Sequence, residues 1–275
     1  MKIHNQNIVL DFESPKIMGI LNITPDSFYD GGIHASIDSI LAHTEKMLSE
    51  GADIIDIGAY SSRPGARHVS TDEEIARIVP IANQIRTAFP QAILSIDTFR
   101  ADVILELFDR IGEFLVNDIS GGHMDTHMLA TVGKLQLPYI CMHMQGTPQT
   151  MAQHTQYTNL IHDIHRYFEQ AIARAESHSI SQIILDPGFG FGKTTEQNFT
   201  VLSELSSFTQ FQKPILVGIS RKSMIYKTLE TNPEGALHGT GVLHAIALMN
   251  KANILRVHDV QEAKQCITLI KKLKN

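Results

Sequence analysis

A chain of 275 residues, 43% apolar and 19% charged, has ordinary globular composition, which excludes a disordered, collagen-like or repetitive protein. A net charge of -6 with no block of five like charges excludes a broad nucleic-acid or anionic-membrane surface, though one cluster of cations could still hold a small anion. Cys141 and Cys266 sit in apolar surroundings, no apolar run nears the ~18 residues of a membrane span, and no secretory segment follows Met1; these predict a cytoplasmic chain with reduced core thiols.

In chain order, Met1 to Phe12 reads as a short hairpin turning at Asn5-Gln-Asn7. Eight apolar, β-rich runs follow: Ile17 to Ile23, Asp53 to Ile57, Ala92 to Ile96, Glu113 to Asn117, Pro138 to His143, Gln182 to Asp186, Pro214 to Ile219 and Asn253 to His258. Between them, helical periodicity covers Ser36 to Glu50, Thr71 to Ala88, Ala101 to Arg110, Asn159 to Ser177, Thr195 to Ser206 and Gly235 to Lys251, and Val260 to Leu273 closes the pattern. Strands alternating with helices imply right-handed βαβ units and a parallel sheet. Eight such units in ~250 residues match a (β/α)8 TIM barrel. No Pro/Gly/Ser-rich linker divides the chain, so residues 1–275 read as a single domain with its core over 16–273 and the hairpin covering the barrel bottom. A doubly wound sheet would carry a glycine fingerprint in its first turn, and Gly19-Ile-Leu-Asn22 lacks it.

The apolar strands end in polar residues: Asn22, Asp56, Asp97, Asn117 with Asp118, His143, Asp186, Ser220 to Ser223, and Arg256 with His258. In a barrel these strand ends gather at the C-terminal mouth, where active sites of the fold are built. Acids and amides come from the middle strands, and cations (Arg63, Arg221, Lys222, Arg256, His258) from the second, seventh and eighth loops. The expected ligand therefore has an anionic end and a flat end with adjacent N–H donors. A carboxylate matches such an amidine-like edge, as in pterins and guanines, with two parallel hydrogen bonds.

Other motifs are weaker. Gly188-Phe-Gly-Phe-Gly-Lys193 is no phosphate loop, because Pro187 stands where that motif needs glycine. It reads instead as a turn that brings backbone and Phe191 close to a ligand. His123 with His127 and His162 with His165 have helical spacing but no Glu or Cys partners, and read as solvated faces. Cys141 has no activating cation beside it, and Met142 suits ligand packing.

Met18-Gly-Ile-Leu-Asn-Ile-Thr-Pro-Asp-Ser-Phe28 with Asp30-Gly-Gly32, Ser61-Ser-Arg-Pro-Gly65, Ser95-Ile-Asp-Thr98, Val116-Asn-Asp-Ile-Ser120, Met142-His-Met-Gln-Gly146, Leu185-Asp-Pro-Gly-Phe-Gly-Phe-Gly-Lys193, Ser220-Arg-Lys-Ser223 and Arg256-Val-His258 together closely resemble the dihydropteroate synthases, collinearly over residues 16 to 260. The resemblance implies a cytoplasmic, homodimeric transferase of folate biosynthesis. It would join 6-hydroxymethyl-7,8-dihydropterin diphosphate to 4-aminobenzoate with Mg²⁺, and be blocked by sulfonamides. It also implies roles. Asp97, Asn117, Met142, Asp186 and Lys222 would hold the pterin. Asn22, Arg63, Arg256 and His258 would hold the diphosphate, with Asn22 on the metal. Phe28, Ser62, Arg63, Pro64, Phe191, Lys222 and Ser223 would shape the aminobenzoate site. Asp30, Arg63, Lys222, Arg256 and His258 would act in catalysis, Asp30 facing a pterin-methyl cation.

One loop departs from the commonest pattern: Gly58-Ala-Tyr-Ser-Ser-Arg-Pro-Gly65 has Tyr60 where many relatives have an acid, and Ser62 in place of Thr. The alternative classes are a methyltetrahydrofolate-binding methyltransferase domain, which would not need the 61–65 and 220–223 motifs, and a non-catalytic pterin-binding protein, in which they would be eroded.

Overall fold

The computed structural model describes residues 1–5, 8–23, 32–60 and 69–273, with the backbone alone for 32–36. The hairpin strands β1 (Lys2–His4) and β2 (Val9–Asp11) come first. They are followed by β3 (Lys16–Asn22), α1 (Gly32–Glu50), β4 (Ile54–Gly58), α2 (Thr71–Ala88), β5 (Ile93–Asp97), α3 (Ala101–Ile111), β6 (Leu115–Asp118), α4 (Met128–Leu135) and β7 (Tyr139–Met142). Then come α5 (Leu160–Ser177), β8 (Ile183–Asp186), α6 (Thr195–Ser203), β9 (Leu216–Val217), α7 (Ser223–Tyr226), α8 (Leu237–Met249), β10 (Ile254–Val257) and α9 (Val260–Leu273). The parallel strands run in the order β8-β7-β6-β5-β4-β3-β10-β9, and a parallel bridge between Leu185 and Ile215 joins the two ends, closing the barrel. Every expected strand is found.

Two short helices, α4 and α7, are absent from the sequence reading, and the expected helix over Thr195 to Ser206 ends at Ser203, with a 3-10 segment, Leu205–Phe211, after it. α2 and α9 keep their expected bounds. Ser70 caps α2, its Oγ accepting from the Glu73 amide at 3.2 Å, with Asp72, Glu73 and Glu74 in the first turn against the positive end of the helix dipole. α6 starts in a reciprocal capping box between Thr194 and Gln197.

Side-chain alternation fixes the two faces of the barrel wall. Met18, Ile54, Leu115, Ile140, Ile184, Leu216 and Ile254 form an interior cluster that also contains Ile3, Ile8, Leu10 and Phe12, so the hairpin plugs the barrel bottom as expected. Its turn residues Gln6 and Asn7 lie outside the described residues. The alternate residues, such as Ile55, Leu94, Val116 and Leu255, face the helices and join Ile78, Ile104, Phe168 and Ile267 in the larger core. Because the side-chain period in a strand is two, residues two positions beyond the apolar plug point into the barrel again, at the mouth. Among the described residues no helix is long and apolar enough to cross a membrane.

Candidate active site

Interior alternation brings Asp56, Asp97, Asn117, Asp186 and Arg256 together, each two or four residues beyond an apolar residue of the plug. Arg256 Nε donates to Asp56 Oδ2 at 2.6 Å and Nη2 to Asp97 Oδ2 at 2.7 Å, so one guanidinium ties β10 to β4 and β5 across the barrel. Asn117 Nδ2 donates to both Asp56 oxygens, at 3.1 and 3.3 Å. Asp56 is fully buried. Gly58 leaves room for the second carboxylate, since a Cβ there would stand 3.3 Å from Asp97 Cβ.

Two carboxylates sharing one guanidinium leave the cluster with a negative excess in a poorly solvated place. Burial pushes Asp97 up to about 7 against the pull of Arg256, and the Asp56 charge adds to the rise. The same carboxylates hold the Arg256 proton more tightly than usual, although burial works the other way. Among the described residues Asp97 Oδ1 has no hydrogen-bond partner.

On the opposite wall, Asp186 Oδ1 accepts from the Gly188 amide at 2.8 Å, and burial raises the carboxyl above its usual range. Lys222, the N-cap residue of α7, donates from Nζ to the Phe189 carbonyl and stands 4.5 Å from the centroid of the Phe191 ring. Burial pulls Lys222 down to about 8, with Asp186 opposing. Met142 is buried with Phe99 and Ile119, and Phe191 packs against that cluster, forming an apolar wall beside the polar groups. Lys193 is buried, its Nζ 3.0 Å from His143 Nδ1.

Nearer the rim, Asn22 is exposed at the end of β3 and Ser223 is half-buried at the first turn of α7. The exposed His258 donates from its backbone N–H to Ser220 Oγ at 3.2 Å, and the same hydroxyl lies 3.1 Å from Nδ1. With Oγ–H directed at Nδ1, the ring proton belongs on Nε2. Phe28, Asp30, Ser62, Arg63 and Pro64 lie outside the described residues.

Not every polar strand end reaches the mouth. Asp118 is buried on the helix-facing side, accepting from Ser120 N and Oγ, Gly122 N and Tyr139 Oη at 2.7–2.8 Å. Arg221 turns away in a bidentate pair with Asp259, both bonds 2.8 Å, and reaches the carbonyls of Pro233 and Glu234. His165, read as solvated, instead packs edge-on against Phe208 at 4.9 Å and hydrogen-bonds Ser207 and Gln210, because α5 turns that face onto the 205–211 segment. Cys141 is buried and its thiol is pushed up to about 12, in keeping with an inert core residue.

The unusual Tyr60 has a well-defined place. Its ring meets Phe99 edge-on at 5.1 Å, Arg100 Cζ lies 5.4 Å from its centroid, and its hydroxyl accepts from Gln149 Nε2 at 2.8 Å. Arg100 also donates to the Val69 carbonyl at 2.5 Å and pairs with buried Glu74. Residues at both ends of the 61–68 segment thus rest on the same guanidinium.

Four contributors have no assigned role in the sequence: Asp56, His143 and Ser220 stand there only as polar strand ends, and Lys193 only as the end of the glycine run. Asp56 carried a signal, a carboxylate inside an otherwise apolar strand; the others act through partners distant in sequence.

The comparisons agree with this geometry. Residues 18–258 match the model of the pterin binding enzyme family. Dihydropteroate synthase of Escherichia coli (strain K12) is 41% identical over 272 residues, covering 98% of this chain and 95% of that protein. The Haemophilus influenzae dihydropteroate synthase is 42% identical over 94% of each chain. A Yersinia pestis dihydropteroate synthase solved in a sulfonamide drug complex superposes with a TM-score of 0.92 at 40% identity, covering 100% of this chain and 99% of that one. A Xanthomonas albilineans dihydropteroate synthase with 4-aminobenzoic acid gives 0.89 at 34% identity, over 97% and 95% of the two chains. With the whole barrel matched and the polar mouth assembled as described, the chain belongs to the pterin-binding enzyme family, among its dihydropteroate synthases.

Proposed function

We infer that the chain joins 6-hydroxymethyl-7,8-dihydropterin diphosphate to 4-aminobenzoate, releasing diphosphate and 7,8-dihydropteroate, in the cytoplasm. The observation that carries the reading is the pairing of inward-facing Asp97, Asn117 and Asp186 with Lys222 across one barrel mouth, beside the apolar wall of Met142 and Phe191. Asp186 Oδ2 and Asp97 Oδ1, with Asn117, meet the N–H donors and acceptors of the pterin edge, and Lys222 donates to a pterin acceptor. Arg256 keeps Nη1 for the diphosphate after Nε and Nη2 are taken by Asp56 and Asp97, and His258 adds its imidazole at the same strand end. Phe28, Ser62, Arg63, Pro64, Phe191 and Ser223 shape the aminobenzoate pocket, where sulfonamides compete.

An electron-rich dihydropterin stabilises positive charge at its exocyclic methylene. The C–O bond breaks first, its electron pair leaving with the diphosphate; the arylamine nitrogen then attacks the methylene carbon and loses a proton. The protein's part is to align the two substrates and stabilise the departing charge, with Asp30 facing the cation and Arg63 the anion. Exclusion of water protects the cation. The Asn22 amide, an exposed hard oxygen donor at the strand end, would hold a Mg²⁺ ion. When bound, that ion neutralises charge on the leaving group.

A homodimer is part of the proposal. Val242, Ile246 and Met249 on α8, with Leu269 and Leu273 on α9, form an exposed apolar face that a second copy would cover.

The direct test is diphosphate release from purified protein given dihydropterin diphosphate and Mg²⁺, with and without 4-aminobenzoate. Release that requires 4-aminobenzoate and yields dihydropteroate supports the synthase; pterin binding without turnover favours a binding protein or methyltransferase domain. Arg63→Ala is expected to lower turnover by roughly 10²–10³-fold, the scale of losing one donor to developing charge, with 6-hydroxymethylpterin affinity kept. A wild-type rate removes Arg63 from the mechanism.

The shifted groups also predict a pH profile. Asp97, raised to about 7, must be ionised to accept the pterin N–H, so affinity falls up to tenfold per unit as pH drops below that value. Lys222, lowered to about 8, must keep its proton to donate, so affinity falls again above that value. Calorimetry of 6-hydroxymethylpterin, corrected for the ligand's own ionisation, should show an optimum between the two; a flat profile contradicts the assignments.

A further inference from the structure

Lys193 and His143 have no part in the reaction as described, yet both are buried, with 8% and 3% of their surface exposed, on the helix-facing side of the strand ends. Lys193 Nζ lies 3.0 Å from His143 Nδ1, 3.0 Å from the Gly188 carbonyl and 3.1 Å from the Phe191 carbonyl. These three acceptors match the three N–H bonds of an ammonium, with no donor left over. Burial lowers both groups, Lys193 to about 7 and His143 well below its ordinary value; with Lys193 protonated, the neutral imidazole accepts through Nδ1 and carries its proton on Nε2. Tyr167 meets the imidazole edge-on at 4.8 Å and donates from its hydroxyl to the Met142 carbonyl at 2.8 Å, which fixes the end of β7 under the ring.

Gly188 is the node that connects this pair to the substrate groups. Its N–H donates to Asp186 Oδ1 at 2.8 Å, while its carbonyl accepts from Lys193. Its φ is +71°, and a Cβ there would lie 2.0 Å from the His143 carbonyl oxygen, so the turn is pressed against β7 in a shape that only glycine adopts comfortably. The next residues hold Lys222: the Phe189 carbonyl accepts from its Nζ and the Phe191 ring faces it at 4.5 Å. Lys193 therefore grips the glycine turn at both ends, at 188 and 191, and the stretch between carries contacts of Asp186 and Lys222.

We propose that Lys193, oriented by His143, is a positioning residue: it sets the 188–191 turn so that Asp186 and Lys222 are held at the spacing one bound pterin requires. The proposal rests on the pterin-site reading. Lys193 does not touch the ligand; its effect passes through Gly188 to the carboxylate and through Phe189 and Phe191 to the second lysine. Loss of the Lys193 ammonium leaves the half-buried Phe191 carbonyl without that donor and the Gly188 carbonyl with only the Phe191 N–H at 3.1 Å, and frees the turn to relax.

The test uses the intact protein, 6-hydroxymethylpterin binding by calorimetry, thermal melting and steady-state kinetics. Lys193→Met is expected to weaken pterin binding by roughly tenfold or more, the consequence of losing a buried charged donor, and to raise KM for both substrates more than it lowers kcat. His143→Leu removes the acceptor and should weaken pterin binding in the same way. His143→Asn, which can place an amide oxygen near the Nδ1 position, should restore most of the affinity. This rescue separates positioning from bulk stability, because both His143 variants lose the imidazole packing against Tyr167. Pterin affinity within twofold of wild type in Lys193→Met and His143→Leu overturns the proposal, as does equal loss in His143→Leu and His143→Asn. A wild-type chain that binds no pterin overturns instead the site reading beneath it.

Discussion

Lys222→Ala is expected to abolish measurable pterin binding while leaving the fold intact. Two losses combine. The ammonium is a charged donor aimed by the Phe189 carbonyl and the Phe191 ring, and a hydrogen bond from a charged group contributes roughly 1.5–3 kcal/mol. Its charge also supports ionisation of Asp186, whose carboxyl burial already raises; without Lys222 that carboxyl rises further and becomes a poorer acceptor for the pterin edge. Together these amount to at least a hundredfold loss of affinity. Stability should change little, since Lys222 caps only the four-residue α7 and no carboxylate relies on it for an ion pair within 4 Å among the described residues. Asp186→Ala should give the same loss from the other side. Calorimetry with 6-hydroxymethylpterin and a parallel melt check both, and affinity within threefold of wild type in either variant would refute the assignments.

Much of this arrangement was legible from the sequence, for a physical reason that extends further than strand endings. Asp56, Asp97, Asn117, Asp186 and Arg256 each stand at even spacing from the plug residues Ile54, Ile93, Leu115, Ile184 and Ile254, so strand alternation alone directs them into the barrel. Asp118 and His143 break that spacing, being one step out of phase with Leu115 and Ile140, and they face the helices. A polar residue at a strand end does not by itself reveal its phase; only its spacing from the plug residue does. Other features had no local signal. The Asp56–Arg256 pair joins residues 200 positions apart and exists because β10 inserts next to β3, beside β4, when the barrel closes. Lys193 carries no local signal beyond the glycine run that it ends, because His143, its partner, lies 50 positions earlier. α4 escaped because eight residues give barely two turns of periodicity, and it lacks a side-chain N-cap.

The second large effect is on stability. Arg256→Met should destabilise the protein by about 3–5 kcal/mol, the usual cost of stripping one partner from a buried ion pair. Asp56 is fully buried and would keep only Asn117 Nδ2, at 3.1 and 3.3 Å, as a donor. Asp97 would lose its bond as well, but it is partly open to solvent and already titrates near 7, so it can relieve its charge by taking a proton. Asp56 therefore dominates, and the melting temperature should fall by roughly 6–10 °C at this chain length. The diagnostic variant is the double change. Asp56→Asn in the Arg256→Met background removes the stranded charge and should recover a good part of the lost stability, whereas Asp56→Asn alone should destabilise by leaving Arg256 with a single carboxylate. A double-mutant cycle read by denaturant unfolding measures the coupling. Coupling below about 0.5 kcal/mol would mean that water or a rearranged side chain neutralises Asp56. In that case Arg256 is held for the diphosphate alone, and the barrel mouth does not depend on it for its shape.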